Sequence, residues 1–443
     1  MVERLVGVRS AVGDPPDEAG EPAGEARLAG LGPSSVTEAR DRLTTWLARL
    51  DRPLTSYYLI IGITALLLGL GLVMVLSTSS VQDLAEGLPA YSDFKKQLLG
   101  ALVGLPAMYV AARSSPRLFR ALAYPLLGVS ILGLLLTLIP SVGKSAYGAS
   151  RWIAIGPLQL QRSEFAKLAL VLWGADLLAR KERLRQLEDW RHLLIPLLPG
   201  AGLLAMLVMA GDDLGTTFVL LVIFITLLWV IGAPGRIFGG MLALIALVMV
   251  LLAVTSSYRL KRLTGFVNPQ GGPMGPNMQG IQGKYAVGSG GLFGVGLGAS
   301  GEKWGYVPES TSDFIFAIIG EELGLVGTLC VCLLYGGLAF AGLRVARRVQ
   351  DTFSRLAAAA ITAWVVMQAV VNIGAVIGVL PITGVPLPLV SAGLSSLLVT
   401  MVALGMLMSF ARREPGAREA LAARGPALPL RLLGWLGLTR RPD

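Results

Sequence analysis

From residue 57 onward the chain is a succession of long apolar stretches separated by short polar turns. Crossing a hydrocarbon core takes about 20 apolar residues in a helix, and ten stretches approach that length. They are 57–78, 95–112, 119–139, 163–180, 192–210, 214–232, 237–255, 312–343, 357–380 and 391–411. The pattern predicts an all-α integral membrane protein of ten transmembrane helices over residues 51–415. The stretch from 312 exceeds one crossing and is expected to tilt or protrude. Ahead of the first stretch, residues 1–50 are rich in Gly, Pro, Ala and Glu, with acids at Asp14, Asp17, Glu18, Glu21 and Glu25. This composition predicts a disordered tail. It lacks the basic-then-apolar layout of a cleavable signal, so the first apolar stretch is expected to remain as an anchor. Residues 416–443 form a basic C-tail in which Leu428–Leu438 reads as a surface-lying amphipathic segment or as disorder.

Charge sets the orientation. Alternate turns hold Arg113 and Arg117, then Arg180, Lys181, Arg183 and Arg185, then Arg236, then Arg344, Arg347, Arg348 and Arg355, and finally Arg412 and Arg413. By the positive-inside rule these share the cytoplasmic side if both termini are cytoplasmic. The opposite side then receives 79–94, 140–162, 211–214, 381–390 and the large loop 256–311 between helices 7 and 8. Composition agrees: 54% of the 443 residues are hydrophobic and 15% charged. The net charge of +10 is spread over turns without a basic face, so no nucleic-acid partner is expected. Cys330 and Cys332 lie two apart in an apolar stretch, a spacing unsuited to a disulfide, and are expected to pack. The single histidine, His192, lies at a loop-to-helix boundary among arginines, so neither a His-based triad nor a multi-His metal site is expected. The glycines of 283–301 lack the preceding strand of a dinucleotide fingerprint and are expected to allow tight turns and close packing.

The polar residues that interrupt apolar sequence lie on the outer side. In PESTSDFIFAIIGEELG, 308–324, Glu309 is followed by Asp313 at a helix start, and Glu321 and Glu322 come roughly 12 Å deeper along the axis. Carboxylates at that depth face a polar cavity or a basic partner and are functional candidates. In 148–170, Arg151, Gln161, Arg162, Glu164 and Lys167 gather at the mouth of a helix, where Glu164 and Lys167 can pair i,i+3. A fixed guanidinium such as Arg151 suits phosphate. Asp213 fits a helix cap as well as a cavity role. The turn 380–396 reads as a re-entrant structure whose Thr383 and Ser391 can also donate to a ligand. Gln368 and Asn372, i,i+4 in an apolar helix, suit bonding across helices. Two classes of function fit such a cavity. An enzyme would use Asp313 as a general base while cations stabilise a phosphate leaving group, and a transporter would use the same charges to escort a lipid head group. The clustering of the cations at the outer mouth favours the enzyme.

The combination of PESTSDFIFAIIGEELG with MVLSTSSV (74–81), GASRWI (148–153), QRSEFAKLAL (161–170), DLGT (213–216), GSGGLFGVGLG (288–298) and LPITGVPLPLVSAG (380–393) resembles the SEDS family (shape, elongation, division and sporulation). It is closest in pattern to that family's cell-division branch and to its actinobacterial members. The resemblance covers about residues 54–415. It implies ten transmembrane helices and polymerisation of lipid II into glycan strands at the division septum, with a class B penicillin-binding protein of the FtsI type and other divisome proteins as partners. Asp313 matches the family's catalytic aspartate, implied to deprotonate the acceptor 4-hydroxyl as undecaprenyl pyrophosphate leaves with inversion. Arg151, Gln161, Glu164, Lys167, Glu309, Ser312, Thr383 and Ser391 are the implied substrate-binding set, and Asp213, Glu321, Glu322, Gln368 and Asn372 shape the cavity. A divalent cation, Mg or Mn, is admitted without a ligand set, and no organic cofactor is expected. The chain departs from the family pattern at Thr311 and Ser312 (usually His-Thr), Arg162 (usually Pro), Tyr147 (usually Asn) and Leu394 (usually Gly). A lipid II flippase, an elongation- or sporulation-type member and a weakly active scaffold are the alternatives.

Overall fold

The computed structural model describes residues 53–85, 87, 89, 91–136, 144–146, 149–155, 158–185, 190–241, 243, 278–304 and 310–423. The expectations for the tail 1–50, for Glu309, for most of 237–255 and for the C-tail beyond 423 fall outside these residues. The described elements are α1 Thr55–Ala85, α2 Ser92–Arg113, α3 Pro116–Leu136, β1 Lys144–Ala146, β2 Ala149–Ile155, β3 Leu158–Gln161, α4 Arg162–Arg183 and α5 Trp190–Leu194. They continue with α6 Leu197–Ala210, α7 Leu214–Val230, α8 Met278–Ser289, α9 Ile315–Arg348, α10 Thr352–Val376, α11 Leu394–Ala411 and α12 Ala417–Ala423.

Five of these helices, α1, α3, α9, α10 and α11, are long and apolar enough to cross a membrane, and α6 and α7 are shorter apolar helices. The predicted stretches other than 237–255 each carry helix, with two changes of shape. The stretch 192–210 is divided at the cis Ile195–Pro196 peptide, where the Lys181 ammonium donates to the carbonyls of His192 and Ile195. The long stretch from 312 is two helices merged across a break at Gly324, whose φ of 66° and ψ of −161° are not helical.

The all-α architecture carries one addition. The segment between α3 and α4 contains a three-stranded antiparallel sheet in the order β1-β2-β3, with Trp152 opposite Gln161 and Ile155 opposite Leu158. The seven-residue run ASRWIAI of β2 is too short to span a bilayer. A correction concerns the cysteines: Cys330 and Cys332 are both exposed on α9 and do not pack inside.

The core is organised around α4. All but a few of its residues are buried, including Glu164, Lys167 and Asp176. Its low apolarity is tolerated because the charges are paired: Asp176 meets Arg120 and Arg180, each at 2.7 Å. Against one flank α2 packs on α11 through small residues that let the backbones approach. A Cβ on Gly405 would lie 2.4 Å from the Met108 carbonyl oxygen, and one on Gly104 would lie 2.4 Å from the Met401 sulfur. Where the C-terminal end of α2 meets that of α11, Ser409 Oγ donates to the Ser114 carbonyl (2.7 Å) and Arg412 to the Ala112 carbonyl (3.0 Å).

Candidate active site

Asp313 sits in the turn that leads into α9, half-buried, between fully buried Phe314 and partly exposed Ser312. Irregular backbone in a membrane protein must find its hydrogen bonds within the protein, and here each of three successive carbonyls has its own donor. Ala392 N–H reaches the Thr311 carbonyl at 2.9 Å, Ser391 Oγ the Ser312 carbonyl at 2.6 Å, and Asn372 Nδ2 the Asp313 carbonyl at 2.7 Å. The donors come from α10 and from the turn 380–393, which folds back into the bundle as expected for a re-entrant segment. Val385, Leu387, Leu389 and Val390 are all buried there. The Ser391 hydroxyl also accepts from Leu387 N–H at 2.7 Å, so both of its roles are backbone contacts.

The same helix α10 carries the link to the cation. Lys167 Nζ lies 2.7 Å from Glu164 Oε1 and 2.9 Å from Gln368 Oε1, with its ammonium 4.9 Å from the centre of the Trp364 ring. Trp364 Nε1 donates to Gln368 Oε1 at 2.8 Å, and Gln368 Nε2 donates to the Pro386 carbonyl at 3.0 Å. Asn372 repeats the pattern one turn on, its second amide proton going to the Val385 carbonyl at 2.7 Å. Gln368 and Asn372, on one face of α10, thus join the ion pair of α4, two successive residues of the re-entrant turn and the backbone of Asp313. Two acceptors in this column, Glu164 Oε2 and Asn372 Oδ1, are buried without a hydrogen-bond donor.

Next to it lies a second knot at the start of α4 and α7. Asp213 caps α7, accepting from Thr216 N–H at 3.1 Å and Thr216 Oγ1 at 2.8 Å. It also accepts from Ser163 Oγ at 2.8 Å and Gln161 Nε2 at 3.2 Å. Gln161 N–H in turn donates to Ser395 Oγ at 3.0 Å, which ties the end of β3 to α11. Arg162 donates to the carbonyls of Gly133 and Leu134 at 3.3 and 3.2 Å, closing the C-terminal end of α3.

Residues 57–415 match the cell cycle protein family of FtsW, RodA and SpoVE. The chain belongs to this family. Over 384 residues it is 43% identical to the probable peptidoglycan glycosyltransferase FtsW of Mycobacterium tuberculosis H37Rv, a match spanning 87% of this chain and 72% of the relative. A solved chain from a peptidoglycan synthase complex superposes with a TM-score of 0.66 at 29% identity, covering 80% of this chain and 96% of that one. The rod shape determining protein RodA of Thermus thermophilus gives a TM-score of 0.58 at 28% identity, covering 80% and 96%. With its long apolar helices, this FtsW/RodA/SpoVE family member is a multi-pass membrane protein.

The remaining sequence candidates distribute as follows. Arg151 lies on β2, whose backbone alone is described, and Glu309 is outside the described residues. Thr383 is partly exposed, and its carbonyl oxygen lies 2.8 Å from where a Cβ on Gly215 would be. Glu321 and Glu322 join a different group, which holds 298–303 and α1 rather than the Asn372 column. Near them Glu302 has its carboxyl held above the ordinary carboxylate range by burial first and by the charge of Glu321 second. Sequence reasoning missed Gln97. This buried amide of α2 donates to the Ser391 carbonyl at 3.1 Å and accepts from Gly393 N–H at 3.2 Å, and beside Lys95 and Lys96 at the polar start of the helix it carried no distinct sequence signal.

Proposed function

We propose that this family member is a peptidoglycan glycosyltransferase that polymerises lipid II for the septal wall, with Asp313 as general base. The observation that carries this reading is the triple backbone clamp on Thr311, Ser312 and Asp313, which fixes the main chain of an acid whose side chain remains partly exposed. A base must be held within hydrogen-bond reach of the proton it removes, and rigid placement is worth several powers of ten in rate. In the proposed step the acceptor 4-hydroxyl attacks the anomeric carbon of the lipid-linked strand. The new C–O bond forms as the bond to undecaprenyl pyrophosphate breaks, with inversion, and the hydroxyl proton passes to Asp313. Arg151, on the outer sheet, is assigned to the pyrophosphate. Lys167, 1% exposed, acts from beneath by holding Glu164 and Gln368.

The relative's name supports the activity, and the solved peptidoglycan synthase complex supports a partner protein; the proposal assigns that partner to the class B penicillin-binding type, acting with other divisome proteins at the septum. Among the described residues no group of three or more His, Cys, Asp or Glu is placed to hold a metal ion. In the proposal a divalent cation serves as a counter-ion of the pyrophosphate, and no step is routed through it. The test is to supply the purified protein and its co-expressed partner with fluorescent lipid II. Glycan ladders support the reading. Movement of lipid II across liposomes without polymer would replace it with the flippase alternative.

A further inference from the structure

The break in α9 is filled by another part of the chain. Around Gly324 the helical ladder is opened, and residues 291–296 occupy the gap with four backbone bonds. Val295 N–H and Gly296 N–H donate to the Glu321 and Glu322 carbonyls at 2.9 and 3.1 Å, and Leu325 N–H and Val326 N–H donate to the Gly291 and Leu292 carbonyls at 2.9 and 3.2 Å. The approach is so close that a Cβ on Gly294 would lie 2.1 Å from the Glu322 carbonyl oxygen, and one on Gly290 would lie 2.0 Å from that of Gly320. This is the physical reason for glycine at 290 and 294.

Two buried carboxylates then fasten the inserted segment. Glu321 accepts from Gly301 N–H at 2.9 Å and from Ser300 Oγ. Glu322, fully buried, accepts from Ser77 Oγ at 2.7 and 2.8 Å on its two oxygens and meets Lys303 Nζ at 3.3 Å. Lys303 also donates to the Gly298 carbonyl at 2.7 Å. The part of α9 that these groups grip is the short half-helix 315–323, which begins two residues after Asp313.

We infer that Glu321 and Glu322 are positioning residues for Asp313: by locking residues 290–303 and α1 onto the half-helix, they set the height and direction from which Asp313 enters the site. The inference rests on the assignment of Asp313 as the base. One end of the half-helix is clamped by Asn372 and Ser391 and the other by the two glutamates, so loosening either end moves the acid.

The experiment uses the full-length protein with its partner and fluorescent lipid II, comparing wild type with Glu322→Gln, Glu321→Gln, Ser77→Ala and Ser77→Thr. The expected result is a fall in kcat for Glu322→Gln on the order of 10- to 100-fold, with KM within about twofold and the acid limb of the kcat–pH profile displaced. Ser77→Ala follows in milder form, and Ser77→Thr, which keeps the hydroxyl, restores activity. Wild-type kcat with an unmoved acid limb in Glu322→Gln and Glu321→Gln overturns the inference, as does a loss of activity that only tracks the thermal midpoint. Asp313→Asn runs alongside. If it is dead while the glutamate variants are unaffected, only this inference fails, and if it is fully active the assignment of the base fails.

Discussion

Lys167 Nζ lies 2.7 Å from Glu164 Oε1 on the same face of α4, and each side chain is only 1% exposed. Few arrangements are as sensitive to the loss of one member. Removing one charge of a buried pair leaves the other uncompensated, at a cost of about 3–5 kcal/mol, whereas replacing both with apolar groups of similar volume is near neutral. Lys167→Met is therefore expected to lower the thermal midpoint in detergent strongly, and Glu164→Leu with Lys167→Met to recover most of it. Polymerisation should stay lost in the double variant. Recovery of activity there would make the pair a packing element alone.

Asn372 holds two carbonyls, those of Asp313 and Val385, with the two protons of one amide. Asn372→Ala removes the amide donor from both, and losing a buried hydrogen-bond partner costs about 1–3 kcal/mol. Chemical or thermal denaturation should register that loss. Turnover of lipid II should fall further than stability alone accounts for, because the clamp on Asp313 goes with it.

How far these relationships were legible in the sequence differs from residue to residue. The i,i+3 spacing of Glu164 and Lys167, the cap position of Asp213 and the i,i+4 spacing of Gln368 and Asn372 each carried a local geometry, and the structure contains the corresponding bonds. Apolar runs located the helices, since a run of that length has few other ways to satisfy its backbone in lipid. The strands Lys144–Ala146, Ala149–Ile155 and Leu158–Gln161 were not visible, because a short run between two helices carries a weak signal beside long apolar stretches. Nor was the break at Gly324. The sequence there reads as uninterrupted helix, and what opens it is a segment about 30 residues upstream whose glycines fit the gap only in three dimensions. The separation of Glu321 and Glu322 from the Asn372 column follows from that same insertion.

Gly294 has φ near +80°, and an added Cβ would meet the Glu322 carbonyl. Gly294→Ala should therefore destabilise by more than about 1 kcal/mol. Gly288, in α8 with no atom within 4 Å of an added Cβ, is the matched control. Gly288→Ala is expected to be neutral or stabilising by up to about 1 kcal/mol. Paired melting curves of the two variants in the same detergent check the contrast.

The raised carboxyl of Glu302 makes a pH-dependent contribution. Because its folded value lies above the ordinary 4.5 through burial and the neighbouring Glu321, the folded protein holds this proton more tightly than the unfolded chain. The stability associated with it is full below pH 4.5 and is lost as pH rises through the folded value. Glu302→Gln removes that loss. The variant should melt higher than wild type, relative to its behaviour near pH 4.5, at pH 8. A difference of the same size at both pH values would show that the charge of Glu302 is not involved.

The most direct measurement is glycan polymerisation from fluorescent lipid II by the partner complex carrying wild-type, Asp313→Asn or Asp313→Ala protein, with complex assembly followed in the same preparations. With Asp313 as the base, wild type yields a ladder, and both variants assemble normally yet yield no polymer at any pH tested. A ladder of wild-type intensity from either variant would contradict that assignment and place the base elsewhere.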